Sequence, residues 1–261
     1  MYIHPFITAL LSLTLLTAQT SSTGIAAQTP ANAPARSVAI VELFTSEGCS
    51  SCPPADALLR QINGKQSSDG QLIVGVSEHV TYWNNLGWKD PYSAEVFTNR
   101  QAIYASKLSP DGPYTPQMVL NGRDQFVGSN NAALQEALHN DLRRRHLDLS
   151  ILSSAVQGDR LLVRFALKGA AQLKPLDIVA VLTDDADRSN VLRGENSGRD
   201  LQHVSVARDL IRVGTASGDT EQSVRILLPE SFRTRGSGHH VVLFAQEQHQ
   251  GAIVGAATMP I

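Results

Sequence analysis

The sequence predicts an α/β N-terminal domain followed by a mostly-β, sandwich-like C-terminal domain. Three observations carry this expectation. Two near-continuous apolar runs, "SVAIVELFTS" and "QLIVGVSEHV", flank a helix-forming segment, which is how buried parallel strands read. A Cys-x-x-Cys pair, Cys49 and Cys52, holds both cysteines of the chain and stands where the first run hands over to the helix. From about residue 147 the pattern changes to period-two alternation broken by turn signals, as in a sandwich of short strands.

The elements follow in order. Ser37–Ser46 reads as a buried strand. Pro53 and Pro54 suit the first turn of a helix, where a missing N–H costs nothing. Asp56 faces the positive end of that helix's dipole, Leu58, Leu59 and Ile62 give it an apolar face, and "NGKQSSDG" ends it. Gln71–Val80 is the second strand. Tyr82, Trp83 and Trp88 cluster in a loop before a helix over Ala94–Leu108. A strand over Gln117–Leu120 turns through "NGRD" into "RDQFVGS", a hairpin signal. Ser129 or Asn130 caps a last amphipathic helix, and Arg143-Arg144-Arg145-His146 reads as cations at its C-terminus. The order is β-α-β-α-β-β-α over residues 37–146, with a β-rich domain of six or seven strands over 147–261. A long connection, "RSNVLRGENSGRDLQHVSVARDLIRVG", lies in the middle of that second domain; its "RGENSGRD" reads as a self-bonded turn ahead of a binding loop, which would shape one side of the cleft if the two halves pack together.

The N-terminus reads as an export signal. "PFITALLSLTLLTA" has the length of a signal-peptide apolar region, and "GIAAQ" offers cleavage after Ala26 or Ala27. Residues 1–27 are expected to be a signal peptide and 28–36 a disordered leader, leaving no membrane span in the mature chain. The expected location is periplasmic or secreted. The formal net charge is −2 over 261 residues, so no basic field argues for nucleic acid as a partner.

Export sets how the cysteines are read. A disulfide is the default in an oxidising compartment. A bridge across three residues stabilises by only about 2 kcal/mol, against ~4–5 for a long loop, and a chain of this size has a core without it. Thiol–disulfide exchange needs an attacking thiolate and a neighbour that resolves the mixed disulfide. Two cysteines at i and i+3 at a helix N-terminus meet both needs, because the dipole and orphan N–H groups stabilise the first thiolate.

Strand, Cys-x-x-Cys and helix within one β-α-β unit resemble the thioredoxin fold, and "YTPQMV" strengthens the resemblance. It implies a thioredoxin-like N-terminal domain in which Thr115–Pro116 is a cis bond packed against the cysteines. More narrowly, the chain is similar to a family of exported bacterial thioredoxin-like proteins catalogued only as a domain of unknown function. That similarity rests on "VELFTSEGCSSCPPAD", "EHVTYWNNLGWKDPYS", "YTPQMVLNGRDQFVGS" and "RGENSGRDLQHVSVARDL". It implies a fold and a compartment, not a substrate. Ser50 and Ser51 stand where the commonest thioredoxin centre has Gly-Pro, which leaves the redox poise open.

The expected function is thiol–disulfide exchange with an unidentified thiol or disulfide protein partner. Cys49 attacks, Cys52 resolves, Pro116 holds the substrate strand, and no cofactor is needed. Glu47, His79, Trp83, Trp88 and Thr115 are the candidate lining of the site. A second reading is a copper- or other metal-binding or delivery protein using Cys49, Cys52 and His79, a soft donor set suited to Cu(I). A third is a partner-binding protein with a secondary redox centre.

Overall fold

The structure is a computed structural model that describes residues 1–2, 37–234 and 238–261. The expected signal peptide and leader therefore fall, past Tyr2, outside the described residues. Elements run β1 (Val38–Thr45), α1 (Pro53–Ile62), β2 (Leu72–His79), α2 (Glu95–Leu108), β3 (Gln117–Leu120), β4 (Asp124–Val127) and α3 (Asn131–Asp141). They continue through β5 (Asp148–Gln157), β6 (Arg160–Lys168), β7 (Leu176–Asn190), β8 (Asp200–Ala216), β9 (Thr220–Leu227), α4 (Glu230–Thr234), β10 (His239–Glu247) and β11 (Ile253–Pro260). None of the described helices is long and apolar enough to cross a membrane.

The expected fold class is corrected here. The first half is not a thioredoxin-like α/β domain. Its strands belong to a mixed eight-stranded sheet ordered β11-β10-β7-β8-β2-β1-β3-β4, which draws four strands from each half of the chain. The joint is β2, which pairs parallel with β1 along its whole length and meets β8 at Ser77↔Val206. The physical cause is the apolarity of "LIVGVSEH". Seven of its eight residues are buried, so its second edge needs cover as well as its faces. The strand that supplies the cover lies in the segment expected to be a connection. Residues 176–190 and 200–216 form a long antiparallel hairpin, paired from Leu176↔Ala216 to Asn190↔Asp200.

The core crosses the joint too. Alternation in β1 sends Ala39, Val41 and Leu43 towards α1 and α3, where they meet Ala55, Leu59, Leu134 and Leu138. The intervening Ile40 joins Val74, Val76 and Phe97, and the same cluster continues into Val179, Val181, Val242 and Phe244. A second, three-stranded sheet, β5-β6-β9, packs Val163, Phe165 and Leu167 on Ile178, Ala180, Leu182 and Leu243.

One ionic cluster lies inside this core. Arg100 Nε donates to Glu42 Oε1, Arg100 Nη2 donates to Tyr104 OH at 2.9 Å, and Tyr104 OH donates to Glu42 Oε2 at 2.8 Å. Glu78 Oε1 stands 3.8 Å from Arg100 Nε, and the Glu78 side chain is fully buried. Burial, then the Glu42 charge, push the Glu78 carboxyl well above its ordinary range, and Arg100 offsets this only in part.

Candidate redox site

Cys49 and Cys52 are bonded to each other, with Cα atoms 5.4 Å apart. The loop that holds them is a series of tight turns after β1: Cys49 N–H donates to Ser46 O, Cys52 N–H to Cys49 O, and Asp56 N–H to Cys52 O. Gly48 lies close against Trp83: a Cβ there would sit 3.0 Å from Trp83 Cβ. Cys52 is the N-cap of α1, and the prolines occupy the first two helical positions. They leave no N–H at either place. The expected orphan donors for a Cys49 thiolate are therefore missing there; the Ser51 hydroxyl lies 3.3 Å from Cys49 Sγ. Both cysteines are fully buried, although Ser50 and Ser51 between them are exposed.

Titratable groups lie around this loop in an arrangement that sequence reasoning found only in part. Glu47 is fully buried. Its Oε2 accepts from Trp88 Nε1 at 2.8 Å, its Oε1 lies 3.2 Å from His203 Nε2, and its backbone N–H donates to Asp90 Oδ2 at 2.8 Å. Asp90 Oδ2 also lies 2.7 Å from His79 Nδ1, while His79 Nε2 is 3.2 Å from Ser77 Oγ. The imidazoles of His79 and His203 pack edge-on at 4.7 Å, with Tyr92 against both. Asp56 Oδ1 stands 3.8 Å from His203 Nδ1, an ion-pair distance, and accepts from Thr45 Oγ1 at 3.0 Å.

Charge follows from these contacts. Burial opposes a cationic His203, but the carboxylates of Asp56 and Glu47 outweigh it and raise the imidazolium pKa to about 9. Burial likewise opposes an ionised Asp90, yet His79 and the backbone N–H groups of Glu47 and Tyr92 hold its carboxyl below the usual range. Two cavities, of about 260 and 400 Å³, share Arg60 and Gln202 as lining; one reaches Asp56 and the other His203.

The remaining candidates are placed as follows. Thr115–Pro116 is a cis bond immediately before β3, whose Gln117 pairs with Phe44 at the end of β1. Trp83 Nε1 donates to Thr115 Oγ1 at 2.8 Å. Trp83 and Trp88 thus anchor opposite partners, Thr115 and Glu47. His79 belongs to the Asp90 and His203 group, with both ring nitrogens engaged. Among the described residues, no group of three or more His, Cys, Asp or Glu side chains is arranged to hold a metal ion.

Sequence reasoning missed His203, Asp90 and Tyr92, and saw Asp56 only as a helix-dipole partner. It left "RGENSGRD" between a binding loop beside the cleft and a self-bonded turn, leaning to the turn. The tip of the β7–β8 hairpin instead reaches the cysteine loop. Asn196 Nδ2 donates to Glu47 O and to Cys49 O, each at 2.9 Å, and Glu195 Oε2 accepts from Ser50 N–H at 3.0 Å. Hydrogen bonds from Ser50 hold the Glu195 carboxyl below its ordinary range. The signal that was available is His203 itself, a polar residue in the alternating run "LQHVSVARDL".

The chain belongs to the family described as a protein of unknown function, DUF1223, whose model matches residues 40–246. It is similar to a crystal structure of a protein from Agrobacterium tumefaciens, at 31% identity and a TM-score of 0.67, over 86% of this chain and 95% of that one. A DUF3823 family protein from Bacteroides ovatus aligns at 12% identity and a TM-score of 0.30, over 44% of this chain and 53% of that one. A β-glucosidase from Kluyveromyces marxianus aligns at 13% identity and 0.24, over 45% and 14%. Neither of these two carries an argument. No curated protein matches the chain.

Proposed function

We propose that the protein is a thiol–disulfide oxidoreductase of an exported, oxidising compartment, with Cys49 and Cys52 as its redox pair. One observation carries this reading. The loop that carries the pair borders a buried group of acids and bases, Glu47, Asp56, His79, Asp90 and His203, with Glu47 in the loop and Asp56 N–H donating to Cys52 O, and a structural staple requires none of them. Burying ionised groups is costly unless they are paired, and clusters of this kind concentrate where protons move.

The step balances within the pair and a dithiol partner. A partner thiolate attacks Cys49 Sγ, the Cys49–Cys52 bond breaks, and Cys52 leaves as a thiolate that takes up a proton. The partner's second thiolate then displaces Cys49. The partner ends oxidised by two electrons and the pair reduced; the reverse sequence, begun by the Cys49 thiolate, oxidises the pair. Asp56 follows Cys52 by one helical turn and lies on the same face, and His203, held protonated beside Asp56, is the proton source that this register offers. The metal-binding reading has less support, because His79 spends Nδ1 on Asp90 and Nε2 on Ser77.

The test is an equilibrium titration across glutathione and dithiothreitol ratios, with thiols trapped and counted by mass. A reversible two-electron transition between about −270 and −120 mV is expected. A pair that stays oxidised below about −300 mV is a structural disulfide and overturns the proposal.

A further inference from the structure

A fully buried disulfide cannot be attacked where it stands, and one segment of the chain is fastened to the loop that holds it. The hairpin tip, residues 191–199, is bonded to itself: Val191 N–H donates to Arg199 O at 2.9 Å, Gly198 N–H to Val191 O at 2.7 Å, and Arg199 N–H to Asn196 O at 3.1 Å. The tip is therefore one preformed unit. Among the described residues, no strand pairing ties it to the cysteine loop. Its polar hold consists of the two Asn196 bonds and the one Glu195 bond, with Gly194 backed closely against Gly87 and Trp88. All three bonds end on Glu47, Cys49 or Ser50. Asn196 is itself fully buried, whereas Glu195 is exposed.

We propose that the 191–199 tip is a latch over the Cys49–Cys52 bond, that Asn196 and Glu195 fasten it, and that a reductant reaches Cys49 only when the tip lifts. The latch rests on the redox reading for its purpose, but not for its operation. The base of the hairpin stays in place when the tip lifts, because β7 and β8 remain paired at Ser189↔Leu201 and Asn190↔Asp200, leaving His203 beside Glu47.

The rate of disulfide reduction tests it. The oxidised protein is exposed to excess dithiothreitol, thiols are alkylated at intervals, and the products are counted by mass. Asn196→Ala should be reduced about tenfold faster than the parent, the order set by losing two hydrogen bonds. Glu195→Gln should be reduced severalfold faster, with faster hydrogen exchange at the Ser50 amide. Leu192→Ala, at an exposed tip residue with no bond to the cysteine loop, should leave the rate unchanged. Parent-like rates in both Asn196→Ala and Glu195→Gln, with circular dichroism and melting intact, overturn the latch. Should Asn196→Ala not fold, Glu195→Gln at the surface decides alone. The potential and the rate separate the two proposals: a potential below about −300 mV with accelerated reduction in these variants removes the redox function and keeps the latch.

Discussion

Glu47 and His203 lie 156 residues apart in the chain and meet at 3.2 Å, both hidden from solvent. The carboxylate precedes the Cys49–Cys52 pair by two residues, and the imidazole comes from the far strand of a hairpin. Whatever charge the site carries is therefore shared between the two halves of the protein.

This sharing makes stability depend on pH in a definite direction. Folded His203 keeps its proton up to about pH 9, while an unfolded histidine loses it near 6.5. The pair's contribution is thus complete below about pH 6.5 and is lost as pH rises through about 9. The loss is on the order of 3 kcal/mol. Urea unfolding at pH 6, 7.5 and 9 should show this decline in the parent and a much flatter profile in His203→Gln. An equally steep decline in the variant would assign the effect to another group.

Glu78 predicts the opposite kind of variant. Its folded carboxyl holds a proton that an unfolded glutamate releases, so its cost grows as pH rises above the ordinary carboxylate range. Glu78→Gln keeps the shape and removes the ionisation. It should be more stable than the parent at pH 7, with the gain disappearing towards pH 4. A variant less stable than the parent at pH 7 would show that ionised Glu78 contributes to holding Arg100.

Removing both sulfurs should leave the fold standing. The Cys49→Ala/Cys52→Ala double variant loses the constraint of a very short loop, about 2 kcal/mol on the chain-entropy model, while the clusters around Phe97 and Phe165 are untouched. Far-UV circular dichroism should match the parent. A loss of more than about 4 kcal/mol would mark the bond as a staple of the kind small secreted domains need.

Gly128 supports the site from the opposite side. A Cβ there would lie 2.9 Å from Leu43 Cδ1, 3.0 Å from Ala55 Cβ and 3.1 Å from Pro116 Cβ. Leu43 can change rotamer, but Ala55 and Pro116 have no freedom to give. Gly128→Ala should cost about 1–3 kcal/mol, read as a lower denaturant midpoint with an unchanged slope. An unchanged midpoint would mean that β4 shifts freely against α1.

Local elements were legible because each is written in a short window. "VAIVELFT" is apolar enough to be a buried strand, the proline pair marks the start of α1, and Asn130 caps α3 as its position implies, accepting from Ala133 N–H. The assembly was not legible. Whether β2 ends a domain or joins β8 depends on Ser77 finding Val206, and no local pattern encodes that pairing. The site divides the same way. Cys49, Cys52 and Glu47 stand together in one stretch, but Asn196 and His203 reach them only through a hairpin whose turn residues look self-sufficient. The prolines after Cys52 also carry a second meaning that the helix-start pattern conceals, since they remove the N–H groups expected to face the thiolate.

The Ser77–Val206 joint also bears on how the chain is made. Synthesis delivers β1, α1 and β2 long before β8, so the outer edge of β2 stays open while most of the polypeptide is still to come. An apolar, unpaired edge is where chains stick to one another, and contacts between residues so far apart in sequence close slowly. The protein's order of birth and its order of folding therefore cannot coincide. The sheet around β2 is complete only once residue 206 has been made.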